Sequence, residues 1–171
     1  MDTHKKNEYV RYGASGVCLI EGLKTMSMSG EEREFYVLRP VANPASTIYV
    51  PLDNTTLTSR MMGVLTKSEI DKLITTSNAQ SLEWVNDRND RRAFFHSIIS
   101  KCDRRELMLL VSCIYEKKTE LINNGKKLAS SDDEALKFAE RLIEDEFSFS
   151  LGLACSEVGE YIRGRLGVVP G

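Results

Sequence analysis

The spacing of apolar positions changes once along the chain. From residue 8 to about 65 the apolar residues come in short runs rich in β-formers: Tyr9-Val-Arg-Tyr12, Val17 through Met26, Arg33 through Arg39, Thr47-Ile-Tyr-Val50 and Met61 to Leu65. Turn residues separate them, at Gly13-Ala-Ser-Gly16, Ser29-Gly30 and Asn43-Pro44-Ala-Ser46, and Pro40 and Pro51 stand at strand ends. Five short strands with tight turns predict a small curled sheet or barrel. Its edge strands must be covered, charged or used, and an unpaired edge can take a strand from a partner protein.

From Thr66 onward the period becomes helical. Thr66-Lys-Ser-Glu69 is a capping box that predicts a short helix through about Ile74. Thr75-Thr-Ser-Asn-Ala79 is a polar break and the best linker candidate. A cap near Ser81 predicts a helix carrying Trp84, Ala93, Phe94, Ile98 and Ile99. Asp103-Arg-Arg-Glu106 opens the next, with Leu107, Leu110, Val111, Ile114 and Tyr115 as its apolar stripe and Asn123-Asn-Gly125 at its end. Ser131-Asp-Asp-Glu134 is a second capping box, followed by Ala135, Phe138, Ala139, Leu142 and Ile143, and Gly152 closes that helix. A last helix runs from Ser156 through Arg165, with Val158, Ile162 and Leu166 inward. The expected class is α+β in two domains: a five-stranded β module over 1–65, then a compact helical bundle over 66–171.

Composition changes this picture little. The chain has 171 residues, 42% hydrophobic and 28% charged, enough for a real core. No apolar run approaches the length that spans a bilayer, and the polar start Met1-Asp-Thr-His-Lys-Lys-Asn has no apolar signal core behind it, so a cytoplasmic protein is expected. Cys18, Cys102, Cys113 and Cys155 form no C-x-x-C pair, and His4 and His96 sit at no ligand spacing, so neither a metal nor a cofactor is expected. Phosphate-loop, dinucleotide-fold, zinc-protease and nucleophile-elbow motifs are missing. His96 is the one plausible base and has no identifiable partner, so an enzyme is not expected. Asp132, Asp133 and Glu134 are read as helix-terminal acids.

Net charge is −2, which argues against a protein that coats nucleic acid everywhere. One stretch departs from it. Trp84 to Arg105 holds six cations (Arg88, Arg91, Arg92, Lys101, Arg104, Arg105) against Asp87, Asp90 and Asp103. A flat ring beside guanidinium groups at helical spacing can meet nucleic acid, with the arginines on phosphates and the ring against a base step. Taken as pattern alone, a lone tryptophan is more often core and such arginines a solvated face.

Three stretches carry a family resemblance: Val10-Arg-Tyr-Gly-Ala-Ser-Gly-Val-Cys-Leu-Ile-Glu21, Glu34-Phe-Tyr-Val-Leu-Arg-Pro40 and Ile48-Tyr-Val-Pro-Leu-Asp-Asn54. With Trp84, the Asp103-Arg-Arg-Glu-Leu helix and the Ala139-Glu-Arg-Leu-Ile helix, in that order, the chain resembles the CarD/CdnL family of bacterial transcription regulators. The resemblance implies a Tudor-like module that binds the RNA polymerase β subunit. It also implies a helical domain that touches promoter DNA in the minor groove at the upstream edge of the bubble. The implied DNA contacts are Trp84 as a wedge, with Arg88, Arg91 and Arg92. The implied polymerase contacts are Met26, Arg39, Ile48, Tyr49, Val50 and Pro51. Met26 and Tyr49 fall where better-studied relatives carry arginines, and Asn86 and Asp87 where those relatives carry cations. The expected outcome is a monomeric regulator that stabilises the open complex. The competing expectation is a protein-only interaction module, which Asn86 and Asp87 favour.

Overall fold

In the computed structural model, residues 4–78 and 80–166 are described. They divide into two compact units, Met1–Val64 and Leu65–Gly171. The first holds five antiparallel strands: β1 (Tyr9–Tyr12), β2 (Val17–Met28), β3 (Glu31–Pro40), β4 (Ile48–Pro51) and β5 (Met61–Gly63). A four-residue helix α1 (Thr55–Thr58), capped by Asn54, joins β4 to β5. The strand order is β4-β3-β2-β1-β5, so β4 and β5 are the two edges of an open sheet; the barrel alternative is not what the pairing forms.

Each strand boundary has a local cause. Ser29 and Gly30 both take positive φ (54° and 84°), the backbone that closes a tight hairpin between long strands. The β2–β3 ladder slips between Ile20 and Gly22, a bulge that bends the long hairpin. Pro51 ends β4 at the sheet edge, where a missing N–H costs no ladder bond. One face is buried, with Val10, Cys18, Ile20, Tyr36, Leu38, Val50 and Met61 in contact.

The second unit is helical: α2 (Lys67–Ser77), α3 (Arg88–Lys101), α4 (Arg104–Asn123), α5 (Ser130–Leu151) and α6 (Cys155–Leu166). Thr66 and Glu69 form the capping box of α2. Asp103 caps α4 by accepting from the Glu106 N–H. Gly152 takes the left-handed C-cap of α5 at φ 68°. Ile70, Ile74, Phe95, Leu107, Leu110, Ile114, Leu142, Phe147 and Val158 fill the core. Each such side chain contributes about 1.5–3 kcal/mol relative to an exposed one.

Four sequence expectations change. The polar run after Ile74 is no break: Thr75, Thr76 and Ser77 finish α2, their hydroxyls donating to the carbonyls of Asp71, Lys72 and Leu73 at 2.6–3.0 Å. Ala79 lies outside the described residues. The helix expected from Ser81 starts only at Arg88, because Asp87 is the cap, accepting from the Asp90 N–H at 2.9 Å. Residues 80–86 are irregular. The second capping box does not form, since Ala129 is the N-cap residue of α5 and the Ser131 hydroxyl is buried without a partner. Tyr115, placed on the α4 apolar stripe by spacing, is 59% exposed at its margin. The side chain of Leu166 lies outside the described set.

Candidate functional site

In the N-terminal unit the exposed feature is the β4 edge. Pairing runs Phe35 to Pro51, Tyr36 to Val50, Val37 to Tyr49 and Leu38 to Ile48. The Leu52 N–H donates to the Glu34 carbonyl at 3.0 Å, which fixes the phase of the ladder. Hydrogen-bonded pairs alternate in an antiparallel ladder, so Val50 and Ile48 turn their backbone groups toward β3 while Tyr49 and Pro51 turn theirs outward. The edge therefore offers the Tyr49 N–H and carbonyl, then the Pro51 carbonyl with no N–H beside it. That is a short addition site that cannot be extended indefinitely.

The side chains expected to contact polymerase sort themselves by this geometry. Tyr49 is 42% exposed, packed edge-on against Phe35 (6.4 Å between ring centres), with Lys24 Nζ 5.7 Å from its ring centre. Val50 is a correction: its side chain is fully buried in the sheet core, so only its neighbours can present surface. Ile48 and Pro51 are half-buried, as is Met26, opposite Arg33 in the β2–β3 ladder. Arg39 is engaged with Glu21 through its Nε and Nη2 and with the Pro44 carbonyl. The hydrogen bond from Arg39 holds the Glu21 carboxyl below the usual carboxylate range.

In the helical unit the expected basic patch is partly dismantled. Arg91 is the central correction: it is not on a solvated face but 7% exposed. Its Nε and Nη2 donate to the two carboxylate oxygens of Asp132 at 3.0 and 2.9 Å. Its Nη1 donates to the carbonyls of Val85 and Asn86 at 3.1 and 3.2 Å. Arg104 is likewise committed, its Nε and Nη2 donating to Glu146 at 2.6 and 2.7 Å. Arg105 donates to the Thr76 hydroxyl at 2.8 Å. Arg88 and Arg92 remain exposed.

Trp84 sits in the irregular segment ahead of α3, half-buried against the core. Its ring meets Phe95 edge-on at 5.9 Å. The Arg91 guanidinium carbon is 4.7 Å and Lys117 Nζ 5.6 Å from the ring centre. The indole is neither sealed in the bundle nor projected from it. Asp132 and Lys117 are the residues the sequence reading missed here.

A signal for the buried pairs was available. Arg91, Phe95, Ile98 and Cys102 are spaced four, three and four, so Arg91 lies on the inward stripe of its helix. Asp132, Leu136, Ala139, Ile143 and Glu146 repeat that phase on α5. A charge in register with an apolar stripe has to find a buried partner.

Among the described residues no group of three or more His, Cys, Asp or Glu could hold a metal ion, and no helix is long and apolar enough to cross a membrane. No curated protein matches the chain. Residues 4–62 match the CarD-like/TRCF RID domain, a non-enzymatic interaction domain, and the helical unit lies outside that match. The N-terminal unit is thus a CarD-like/TRCF RID domain, the domain of CarD-like RNA polymerase-interacting proteins.

Proposed function

We propose that this chain is a monomeric transcription regulator of the bacterial cytoplasm that holds RNA polymerase through its β subunit and stabilises the promoter open complex. The match of residues 4–62 to an RNA polymerase-interacting domain carries the reading. The N-terminal sheet is read as Tudor-like, with its β4 edge, centred on Tyr49, as the polymerase contact. The helical unit is read as the DNA-binding part, with Trp84 against the minor groove and the exposed Arg88 and Arg92 on phosphates. Arg91 takes no phosphate in this reading, because its hydrogen-bonding groups are turned inward.

The energetics are consistent with an acidic chain. Binding shifts a melting equilibrium only by its differential affinity for the two states. A preference of about 1.4 kcal/mol for melted over paired DNA changes their ratio roughly tenfold. Two surface arginines give weak affinity for free DNA, and attachment to polymerase supplies the local concentration that weak contact requires. The experiment measures open-complex lifetime and polymerase association for Trp84→Ala and for Arg88→Glu/Arg92→Glu. The expected result is a shortened lifetime with polymerase association intact. Unchanged lifetimes in folded variants refute the DNA contact.

One observation favours a second reading, in which the helical unit docks protein and not DNA: Arg91 and Arg104, two of the six cations of the expected patch, are paired to buried carboxylates. In that case the variants leave DNA contact unaltered and lose a protein partner instead.

A further inference from the structure

Segment 80–86 has no regular structure of its own, yet it carries the indole on which the proposed DNA contact depends. Beside its contacts with Phe95 and Lys117, that segment meets one guanidinium. Arg91 reaches three separate parts of the unit at once: the carboxylate of Asp132 in the first turn of α5, the carbonyls of Val85 and Asn86, and the ring of Trp84. Asp132 is itself 2% exposed and cannot turn away to water. The carbonyls of the two residues after Trp84 are thereby tied to the helix that follows them, while the guanidinium carbon lies 4.7 Å from the centre of the indole ring.

We propose that Arg91 and Asp132 are positioning residues that clamp the Trp84 segment in its partner-facing arrangement. The inference rests on the reading of Trp84 as a partner-contacting group. The chemistry is specific to arginine. Its planar fork places two N–H groups on a carboxylate while a third points elsewhere, and its flat face lies against an aromatic ring. A lysine supplies one compact charge and cannot serve all three partners. Asp132 fixes the orientation of the fork, and the fork fixes the segment.

Trp84 is the sole tryptophan, so its emission reports the clamp directly. The experiment measures acrylamide quenching and emission maximum of the full chain for wild type, Arg91→Lys, Asp132→Asn and the paired replacement Arg91→Met/Asp132→Leu. The paired variant leaves no orphan charge, so the fold survives where a single substitution destabilises it. The expected result is quenching raised about twofold or more, with a red-shifted maximum, as the segment opens locally in an otherwise folded unit. Open-complex lifetime falls toward that of Trp84→Ala. The slope of log affinity against log salt for promoter DNA stays at the wild-type value, because no phosphate contact is lost. Arg88→Glu/Arg92→Glu changes that slope by roughly 0.9 per phosphate contact and leaves quenching alone. Wild-type quenching and emission in the folded paired variant overturn the clamp. If instead Trp84→Ala leaves the open complex unaffected, the DNA reading fails while the quenching series still decides whether Arg91 and Asp132 hold the segment.

Discussion

Removing the carboxylate of Glu146 tests whether the buried ion pairs, and not the apolar stripes alone, hold the helical unit together. Glu146 is 1% exposed on α5. It accepts from Arg104 Nε at 2.6 Å, from Arg104 Nη2 at 2.7 Å and from the Leu65 backbone N–H at 3.0 Å. Glu146→Ala leaves the Arg104 guanidinium, 14% exposed, without this counter-ion. Removing one partner of a buried ion pair costs about 3–5 kcal/mol. For a unit of about 100 residues the melting temperature moves by roughly 4 °C or more per kcal/mol, so the expected drop is about 12–20 °C. Trp84 lies in this unit, so its fluorescence follows the transition, with circular dichroism as a second probe. Arg104→Met/Glu146→Leu removes both charges together, and the Leu65 N–H loses its acceptor, so it recovers most of the loss. A Glu146→Ala unit melting within about 3 °C of wild type refutes the argument, since that is under 1 kcal/mol on the same scale.

Two further predictions concern the same unit. The Glu140 carboxyl lines a groove with Val111 and Ile143, and burial pushes its pKa above 4.5. The native state then binds more protons than the unfolded chain between that value and the raised one, so the ionised group destabilises the fold at neutral pH. Glu140→Gln raises the melting temperature at pH 7, and the gain disappears below about pH 4; an equal gain at both pH values refutes the assignment. Asp87→Ala removes the side-chain cap of α3 and costs about 1 kcal/mol. That appears as a fall of roughly 4 °C in the fluorescence melt, whereas an unchanged melt shows that the hydrogen bond to Asp90 contributes nothing.

The strands were legible because turn chemistry marks them: Ser29-Gly30 and Pro51 stand where the hairpin closes and where β4 stops. The caps at Thr66 and Asp103 were legible for the same reason, being local hydrogen bonds between near neighbours. What was not legible depends on partners far along the chain. Ser81 through Trp84 can read as helix, but Arg91 draws the Val85 and Asn86 carbonyls away from helical bonding and Asp87 starts the helix late. Ser131 through Glu134 fits a capping box locally, yet Asp132 is needed by Arg91, 41 residues away in sequence. Thr75 to Ser77 fits a linker by composition, and only back-bonding to preceding carbonyls keeps it helical. The Tyr49 edge was visible as a β-rich run ending in proline, but which of its backbone groups face outward follows only from the pairing with β3.

The two buried pairs share one geometric consequence. Asp132 and Glu146 stand fourteen positions apart on α5, about 21 Å along its axis, on the same inward stripe. One takes an arginine from the first turn of α3, the other from the first turn of α4. Apolar stripes alone tolerate sliding by a turn, because leucine meets leucine in either register. Two bidentate pairs at fixed separation do not, since a slip of one turn, about 5.4 Å, would break both pairs at once. The helical unit thus sets two arginine–carboxylate pairs against its core, where they fix which way its helices meet, while Arg88 and Arg92 at the start of α3 stay exposed. In the proposed reading an acidic protein then touches an anionic partner through a small surface, and one arginine that the sequence pattern placed on that surface, Arg91, instead holds its framework.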